Sequence, residues 1–380
     1  RTHVPGWHAK TKDLVAEGKL RVLGIVEEQH PERAVLFMQW QQMGWPVLSD
    51  PLNLLGVYAI PYTFLIDEHG IIRYKNPKPE DLDTFLATAY EKPQAIDWPE
   101  IAIASDSAEQ ALMWGGDDAL DGAIGQLETR ATAAPDDAIA QFRLGVAYRM
   151  RHDSPVAEEE DFSRAVAAWQ RALKLNPAQY IWRRRIQQYG PRLDKPYSFY
   201  DWVNEARGAI SDRGEIPHPL AAEPGGSEFA YPGKDRASST GFKPGDHPDP
   251  DRKLPLDRSQ LVHSEVVAVR STDPKNPAFR VHLRFRPDRS QKAHWSNDAG
   301  PLRFFPDADT GVSIHDFQAP EGPPEALTSS EARSLEFEIR PSEGQNSLPA
   351  SLKGAAFYFV CEDVNGLCQF LRQDIEIELK

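Results

Sequence analysis

The stretch Ala59-Ile60-Pro61-Tyr62-Thr63-Phe64-Leu65-Ile66-Asp67-Glu68-His69-Gly70 decides how the first ninety residues are read. Tyr62 to Ile66 is a short apolar run rich in aromatic and β-branched side chains. Pro61 bounds it on one side and a polar, glycine-ended turn on the other, the pattern of a buried strand. Ile71-Ile-Arg-Tyr74 then reads as a return strand. Working outward, Leu20 to Val26 is a second apolar strand, reached through Gly18 from a helix carrying Val4, Trp7, Leu14 and Val15. Pro31 to Met43 has helical spacing at Val35, Phe37, Met38 and Trp40. Asp81 to Tyr90 closes the region with a helix using Leu82, Phe85, Leu86 and Ala89. The order α, β, α, β, β, α predicts an α/β layout.

The rest of the chain changes character twice. Residues 96–205 are mostly helical, with apolar helix-period positions over Asp136 to Met150 and Asp161 to Leu175. Ala165-x3-Trp169-x2-Ala172-x4-Pro177 has the spacing of the second helix of a tetratricopeptide repeat, and Leu144-Gly145-x2-Tyr148 that of the first. Ala123-x3-Leu127-x7-Pro135 repeats the second-helix pattern upstream, so one to two degenerate repeats are expected. Residues 206–258 interleave Pro217, Pro219, Pro224, Pro232, Pro244, Pro248, Pro250 and Pro255 with Gly and Asp, and read as an extended connector with little regular structure. Residues 259–380 alternate with period two. Phe279, Val281, Leu283 and Phe285 alternate with Arg280, His282, Arg284 and Arg286. Leu335, Phe337 and Ile339 alternate with Glu336, Glu338 and Arg340. Phe357 and Phe359 alternate with Tyr358 and Val360, and Ile375, Ile377 and Leu379 with Glu376 and Glu378. That is the half-buried antiparallel pattern and predicts a β-sandwich. The expected chain is therefore multidomain α/β, α and β, with boundaries at 1–95, 96–205, 206–258 and 259–380.

Composition excludes several function classes. The 380 residues carry 57 acidic against 43 basic side chains, a net charge of −14, which argues against nucleic acid as a partner. No run of ~18 apolar residues is present, so no membrane span is expected in this chain. Two cysteines exclude a disulfide-rich scaffold and a structural zinc site of four cysteines. No histidine pair has helical metal-ligand spacing, and no Gly-rich phosphate loop or nucleophile elbow occurs, so neither metal nor cofactor is implied. Trp182-Arg-Arg-Arg185 with Arg192 and Lys195 forms a local basic cluster, expected to pair with the acids of Glu158 to Asp161.

With Trp45-Pro46-Val47-Leu48-Ser49-Asp50 before it and Gly56-Val57-Tyr58 between, the opening stretch resembles the thioredoxin fold of the TlpA-like and peroxiredoxin-like extracytoplasmic redoxins, over roughly residues 1–90. The resemblance implies a cis peptide at Pro61 that presents the backbone of Ile60 to an extended substrate. It also implies a Cys-x-x-Cys at the start of the first helix, favoured as thiolate by the helix amino terminus. Residues 1–95 contain no cysteine and no strand ahead of that helix. In thioredoxins a proline commonly follows the second cysteine by five positions, and counting back five from Pro5 lands on the residue before Arg1. The expectation is a start directly after the resolving position, as an in-frame UGA read as selenocysteine would produce; a fragment boundary or a lineage without the motif are the rival origins.

Cys361 and Cys368 lie in Phe357-Tyr-Phe-Val-Cys361-Glu-Asp-Val-Asn-Gly-Leu-Cys368, ahead of the strand ending at Leu379. A sandwich ending in strand, Cys, short loop, Cys, strand is similar to the amino-terminal domain of the DsbD thiol–disulfide interchange proteins. That similarity implies a redox pair passing electrons to periplasmic protein partners, shielded by an aromatic cap for which His294-Trp295 is the candidate. A two-residue turn at Asn365-Gly366 would leave the cysteines diagonal, ~7–8 Å apart between Cα atoms. A disulfide needs Cβ atoms ~3.5–4.5 Å apart. The wider, six-residue loop is therefore expected, with Asn365 or Gly366 in a left-handed position. Three roles stand open for the pair: redox-active, structural clip, or free thiols. The resemblances together imply a periplasmic or secreted thiol–disulfide oxidoreductase or relay. Its candidate catalytic residues are Cys361 and Cys368, its substrate-positioning residues Ile60 and Pro61, and its partner a protein thiol or disulfide. The other reading is a non-enzymatic scaffold, a redoxin fold joined to helical repeats that hold a protein partner, with a structural disulfide.

Overall fold

The computed structural model describes residues 3–93, 107–229, 248–273, 275–307, 311–318, 326–362 and 367–379. Helices dominate its first half and antiparallel sheets the last third. The chain forms two compact units. One holds residues 1–156, 171–183 and 202–223; the other holds 157–170, 184–201 and 224–380. These units interleave along the chain.

The first unit opens with α1 (His3–Ala16), β1 (Gly24–Val26), α2 (Pro31–Trp40), β2 (Val47–Ser49), β3 (Phe64–Ile66), β4 (Ile72–Lys75) and α3 (Asp81–Ala87). β1 and β2 pair in parallel, and β3 and β4 antiparallel. β2 is a strand that the sequence pattern did not separate, because Pro46 and Asp50 leave it only three residues. Leu65 on β3 buries against Leu82 and Phe85 of α3, with Trp7 and Leu14 of α1 packed on the same cluster. The turn after β3 is organised by Asp67, which accepts the amides of His69 and Ile71 and the Arg73 Nε at 2.6 Å. Burial pushes its carboxyl up, but these bonds and the Arg73 charge outweigh that and hold it below the usual range.

The same unit continues through α4 (Ala108–Trp114), α5 (Leu120–Ala133) and α6 (Ala138–His152). Asp137 caps α6 by accepting the amides of Ile139 and Ala140. The predicted helix over Asp136–Met150 is α6, and Ala123 and Leu127 of the repeat pattern are buried on α5. α7 (Asp161–Leu175) and α8 (Tyr180–Gln187) each run from one compact unit into the other. α9 (Trp202–Asp212) returns to the first unit, where its Trp202 stacks on Trp40 of α2 at 5.9 Å and meets Phe37 edge-on. α9 buries Val203, Ala206 and Ile210 as well, so the first seven residues of the expected connector are helical. Helical period marks such a face but not its partner, which is why the packing of α9 on α2 was not visible beforehand.

Among its described residues the second unit contains α10 (Gly226–Phe229) and the strands β5 (Val262–Arg270), β6 (Phe279–Pro287), β7 (His294–Ser296), β8 (Arg303–Pro306), β9 (Val312–Gln318), β10 (Thr328–Ser329), β11 (Arg333–Pro341), β12 (Ser351–Cys361) and β13 (Cys368–Glu378). One sheet has the order β5-β6-β11-β9. The other has β10-β7-β12-β13, with β8 also on β12. Val281, Leu283, Phe285, Leu335, Phe337 and Ile339 from the first sheet share one core with Trp295, Tyr358, Val360 and Ile377 from the second.

The alternation in β6 and β11 was expected to leave its polar side in water. Instead Arg280, His282 and Glu338 are buried. Helical residues of the same unit cover them: Phe162 packs edge-on to His282, His282 Nε2 donates to the Tyr189 carbonyl at 2.8 Å, and the Arg192 amide donates to Glu338 at 2.8 Å. A polar face is buried here because its charges pair with one another and with helix-terminal backbone. Glu336 accepts from Arg280 at 3.1 Å and lies 3.4 Å from His282 Nδ1. Burial raises its carboxyl, and the His282 and Arg280 charges overcome that to hold it far below normal. Lys195, read beforehand as part of a basic cluster pairing with Glu158 to Asp161, is fully enclosed. It donates to the carbonyls of Gln188 at 2.7 Å and Ser227, with Glu228, Glu336 and Glu338 as the carboxylates around it.

The described end of the expected connector is packed as well. The Arg372 amide of β13 donates to the Pro255 carbonyl, and Asp257 donates back to Arg372. Asp249 accepts the buried Arg372 guanidinium at 3.0 Å. Residues 230–247 of that connector lie outside the described residues.

Candidate functional site

Cys361 closes β12 and Cys368 opens β13, the two longest strands among the described residues. β12 and β13 pair without a break from Ser351 opposite Glu378 to Cys361 opposite Cys368. Glu362 donates to Leu367 just beyond the cysteines, at 3.4 Å. The cysteines therefore face one another at a non-hydrogen-bonded position, where cross-strand Cα atoms come closest. They form a disulfide with Cα atoms 3.9 Å apart. The wide-loop register holds. The left-handed position assigned to Asn365 or Gly366 lies outside the described residues.

Pleating sorts this end of the sheet into two faces. Directly opposed residues share a face, and neighbours along a strand alternate. Val360 and its partner Trp295 face the core and are wholly buried. Cys361, Cys368 and His294 form a row on the other face, because β7 sets His294 opposite Cys361. Cys361 is 1% exposed, whereas Cys368 is exposed. Two residues along the same face, Phe359 and Phe370 stack at 4.4 Å between ring centroids. Phe357, beyond them, is buried against Phe305 at 5.8 Å, with Leu254 packed on that cluster. The face is thus closed by side chains near Phe357, half-open at the Phe359–Phe370 pair, and open at Cys368.

This corrects the assignment of the aromatic cap. Trp295 is a core residue, sent to the wrong face by its one-residue offset from His294. The aromatic pair next to the disulfide is Phe359 and Phe370. The alternation at Phe357 and Phe359 was legible, but Phe370 becomes their neighbour only once the loop length sets the register. Glu362 is on the core-side parity, where it accepts from Gln369 Nε2 at 3.1 Å, so its charge is not in the disulfide row.

Ile60 and Pro61 belong to the other compact unit. Their peptide bond is cis, as expected. Ile60 is 54% exposed. The loop ahead of it is anchored: Tyr58 accepts the Tyr180 amide, and Val57 accepts from Asn53 Nδ2 at 2.9 Å. On the far side, Asn76 exchanges bonds with Thr63, and His3 Nε2 lies 3.3 Å from Thr63 Oγ1, bringing the start of α1 to the strand that follows Pro61. No helix among the described residues is long and apolar enough to cross a membrane.

No protein-family model matches the chain, and no curated protein does. Among solved structures, the chain is similar to the GAE domain of GGA2p from Saccharomyces cerevisiae, at 15% identity over 33% of this chain and 96% of that one, with a TM-score of 0.23. It is also similar to a FixG-related protein from Vibrio parahaemolyticus, at 11% identity over 32% of this chain and 97% of that one, with a TM-score of 0.17.

Proposed function

We propose that this chain is an extracytoplasmic thiol–disulfide exchange protein whose working pair is Cys361 and Cys368. The same reading takes residues 1–95 as a thioredoxin-like domain, the helices after it as tetratricopeptide-like, and residues 259–380 as similar to the amino-terminal domain of DsbD. A periplasmic or secreted location belongs with it, since disulfides persist in oxidising compartments. The observation that supports it is the asymmetry of the pair at the open end of the sheet, with Cys368 exposed and Cys361 buried.

Exchange then has a defined direction of approach. A thiolate of a reduced protein dithiol attacks the Cys368 sulfur. A mixed disulfide forms, the Cys361–Cys368 bond breaks, and its electron pair goes to the Cys361 sulfur. The second thiolate of the partner closes onto the first and releases Cys368, so the partner leaves as a disulfide and this chain holds two thiols. Ile60 and Pro61 would position an extended substrate through exposed backbone on the other unit.

The test is a thiol count on the folded full chain. After incubation with a reduced thioredoxin-class protein at neutral pH, two thiols per chain should titrate while the near-ultraviolet dichroism stays native. Catalysis of insulin reduction in the presence of that donor should follow. A disulfide that opens only in denaturant overturns the proposal and leaves a structural clip on a non-enzymatic scaffold.

A further inference from the structure

We infer that His294 is the proton donor and acceptor for the Cys361 sulfur. This rests on the exchange reading of the Cys361–Cys368 pair and names how that site handles its proton. β7 sets His294 directly across from Cys361, on the strand edge opposite to Cys368, so imidazole, buried sulfur and exposed sulfur stand in one row on one face. Directly opposed side chains have Cβ atoms ~4.5–5.5 Å apart. That distance lets an imidazole reach a sulfur released from the disulfide.

The imidazole is also held in the useful tautomer. Its Nδ1 lies 3.2 Å from the Lys292 carbonyl oxygen. A carbonyl oxygen only accepts, so Nδ1 carries the hydrogen and Nε2 is the nitrogen that gains and loses the exchangeable proton. His294 is half-exposed, so that proton exchanges with water.

The chemistry needs such a group at Cys361 and not at Cys368. When a thiolate attacks Cys368, the electron pair of the broken bond arrives on a sulfur in a site that is 1% exposed. Burial disfavours a thiolate there, and a cationic neighbour or a proton relieves it. The His294 imidazolium supplies the proton from Nε2. The products are a mixed disulfide at Cys368, a neutral Cys361 thiol and a neutral imidazole, which regains its proton from water. In the reverse direction Nε2 takes the Cys361 proton, the thiolate attacks Cys368 in the mixed disulfide, and the partner thiolate departs.

Among the described residues, the other charged groups carried by the surrounding strands do not occupy this row. Glu362 and Gln369 bond to each other on the opposite parity of β12 and β13. Past β10, Glu331 pairs with Arg333 at 3.2 Å. Lys292 and Asp298 flank β7 itself, and the Asp298 carboxylate accepts from Ser296 Oγ.

The test uses the full chain reduced with a phosphine, and does not depend on a protein partner. Iodoacetamide alkylation of Cys361 is followed from pH 5 to 9 in wild type, His294→Gln and His294→Phe. The wild-type thiol should titrate about tenfold more readily than in either variant, and the His294 ring resonances of the wild type should titrate at higher pH after reduction than before. Identical Cys361 profiles in wild type and variants, or a His294 titration indifferent to reduction, overturn the inference. A wild-type disulfide that a reduced dithiol cannot open in the native state overturns the exchange reading instead, with the His294–Cys361 coupling still measured by the alkylation arm.

Discussion

Replacing both Cys361 and Cys368 with Ala tests whether the disulfide is built for exchange or for holding the sheet. The bond joins residues seven apart in sequence. On the chain-entropy account, closing so small a ring restrains the unfolded chain by only ~2.5 kcal/mol. The folded state has other means of keeping the hairpin. Pairing of β12 with β13 runs from Ser351 to Cys361, and Leu352, Tyr358, Val360 and Ile377 remain in the core without help from the sulfurs. The second compact unit has about 190 residues, and in a domain of that size each kcal/mol moves the melting temperature by roughly 2–4 °C. The double variant should therefore melt ~5–10 °C lower, as a single cooperative step for this unit. Wild type reduced by a phosphine should fall by the same amount, because the same restraint is lost. Calorimetry on the full chain, with near-ultraviolet dichroism reporting the packing of its aromatic side chains, reads both. A variant without a cooperative transition would refute the reasoning, since the bond would then be required for folding and exchange would unfold the domain at every turnover.

Two further outcomes follow from buried features of the same unit. Lys195 is lowered to about 7 by burial and then by Arg280, against the opposing pull of Glu228, Glu336 and Glu338. Between pH 7 and 10.5 the unfolded chain then holds a proton that the folded chain lacks, so stability rises with pH through that window, by on the order of 5 kcal/mol in full. The stability difference between wild type and Lys195→Met, from guanidinium unfolding at pH 6.5, 8 and 9.5, should shift in favour of wild type as pH rises; a pH-independent difference would count against the burial of this amine. Gly354 lies where β8 approaches β12, and an added Cβ would stand 2.5 Å from the Phe305 carbonyl oxygen and 2.6 Å from the Phe304 ring. Gly354→Ala should cost about 3 kcal/mol in urea unfolding, because backbone cannot yield as a flexible side chain does; a loss below ~1 kcal/mol would show that the close approach is not real.

Period-two alternation placed β6 and β11 within a few residues of their observed bounds, found only the last part of β12 and of β13, whose first six or seven residues it did not mark, and helical period placed α6 and α7. Those elements are long, so many side chains vote on the same face. Short strands escaped. β7, β8 and β10 have two to four residues each, too few for a period to register, and β2 is hemmed in by Pro46 and Asp50. β5 and β9 were missed for a different reason, since Val266 and Ile314 are only partly buried and polar neighbours dilute the pattern. The cysteine pair was legible from loop length and disulfide geometry. His294 was not legible as its neighbour, because the register of β7 on β12 joins His294 to Cys361, 67 positions away in the chain. Nor did the alternation in β6 reveal that Arg280 and His282 are buried: a polar face looks the same in sequence whether water or a helix covers it.

The register of three strands explains how reactive sulfur could coexist with a well-packed core. A disulfide pointing into the shared core would couple each change of oxidation state to the packing of Trp295, Tyr358 and Phe337. The pleat prevents that. Val360 and Trp295 carry the core contacts at this end of the sheet, while Cys361, Cys368 and His294, each one residue away along its strand, carry none of them. Breaking the bond alters one row on the outer face, and the next row on that face is the stacked Phe359–Phe370 pair, whose contact does not pass through sulfur. A one-residue slip of β7 would exchange the two sets, putting Trp295 beside the disulfide and His294 into the core, where an unpaired imidazole is costly. The Trp295 Nε1 bond to the Glu331 carbonyl at 2.8 Å and the Arg333 guanidinium 4.7 Å over its ring hold it against that slip. Proper registration of β7 is thus the structural condition for the sulfur chemistry proposed at β12 and β13, and Trp295 is the residue that secures it.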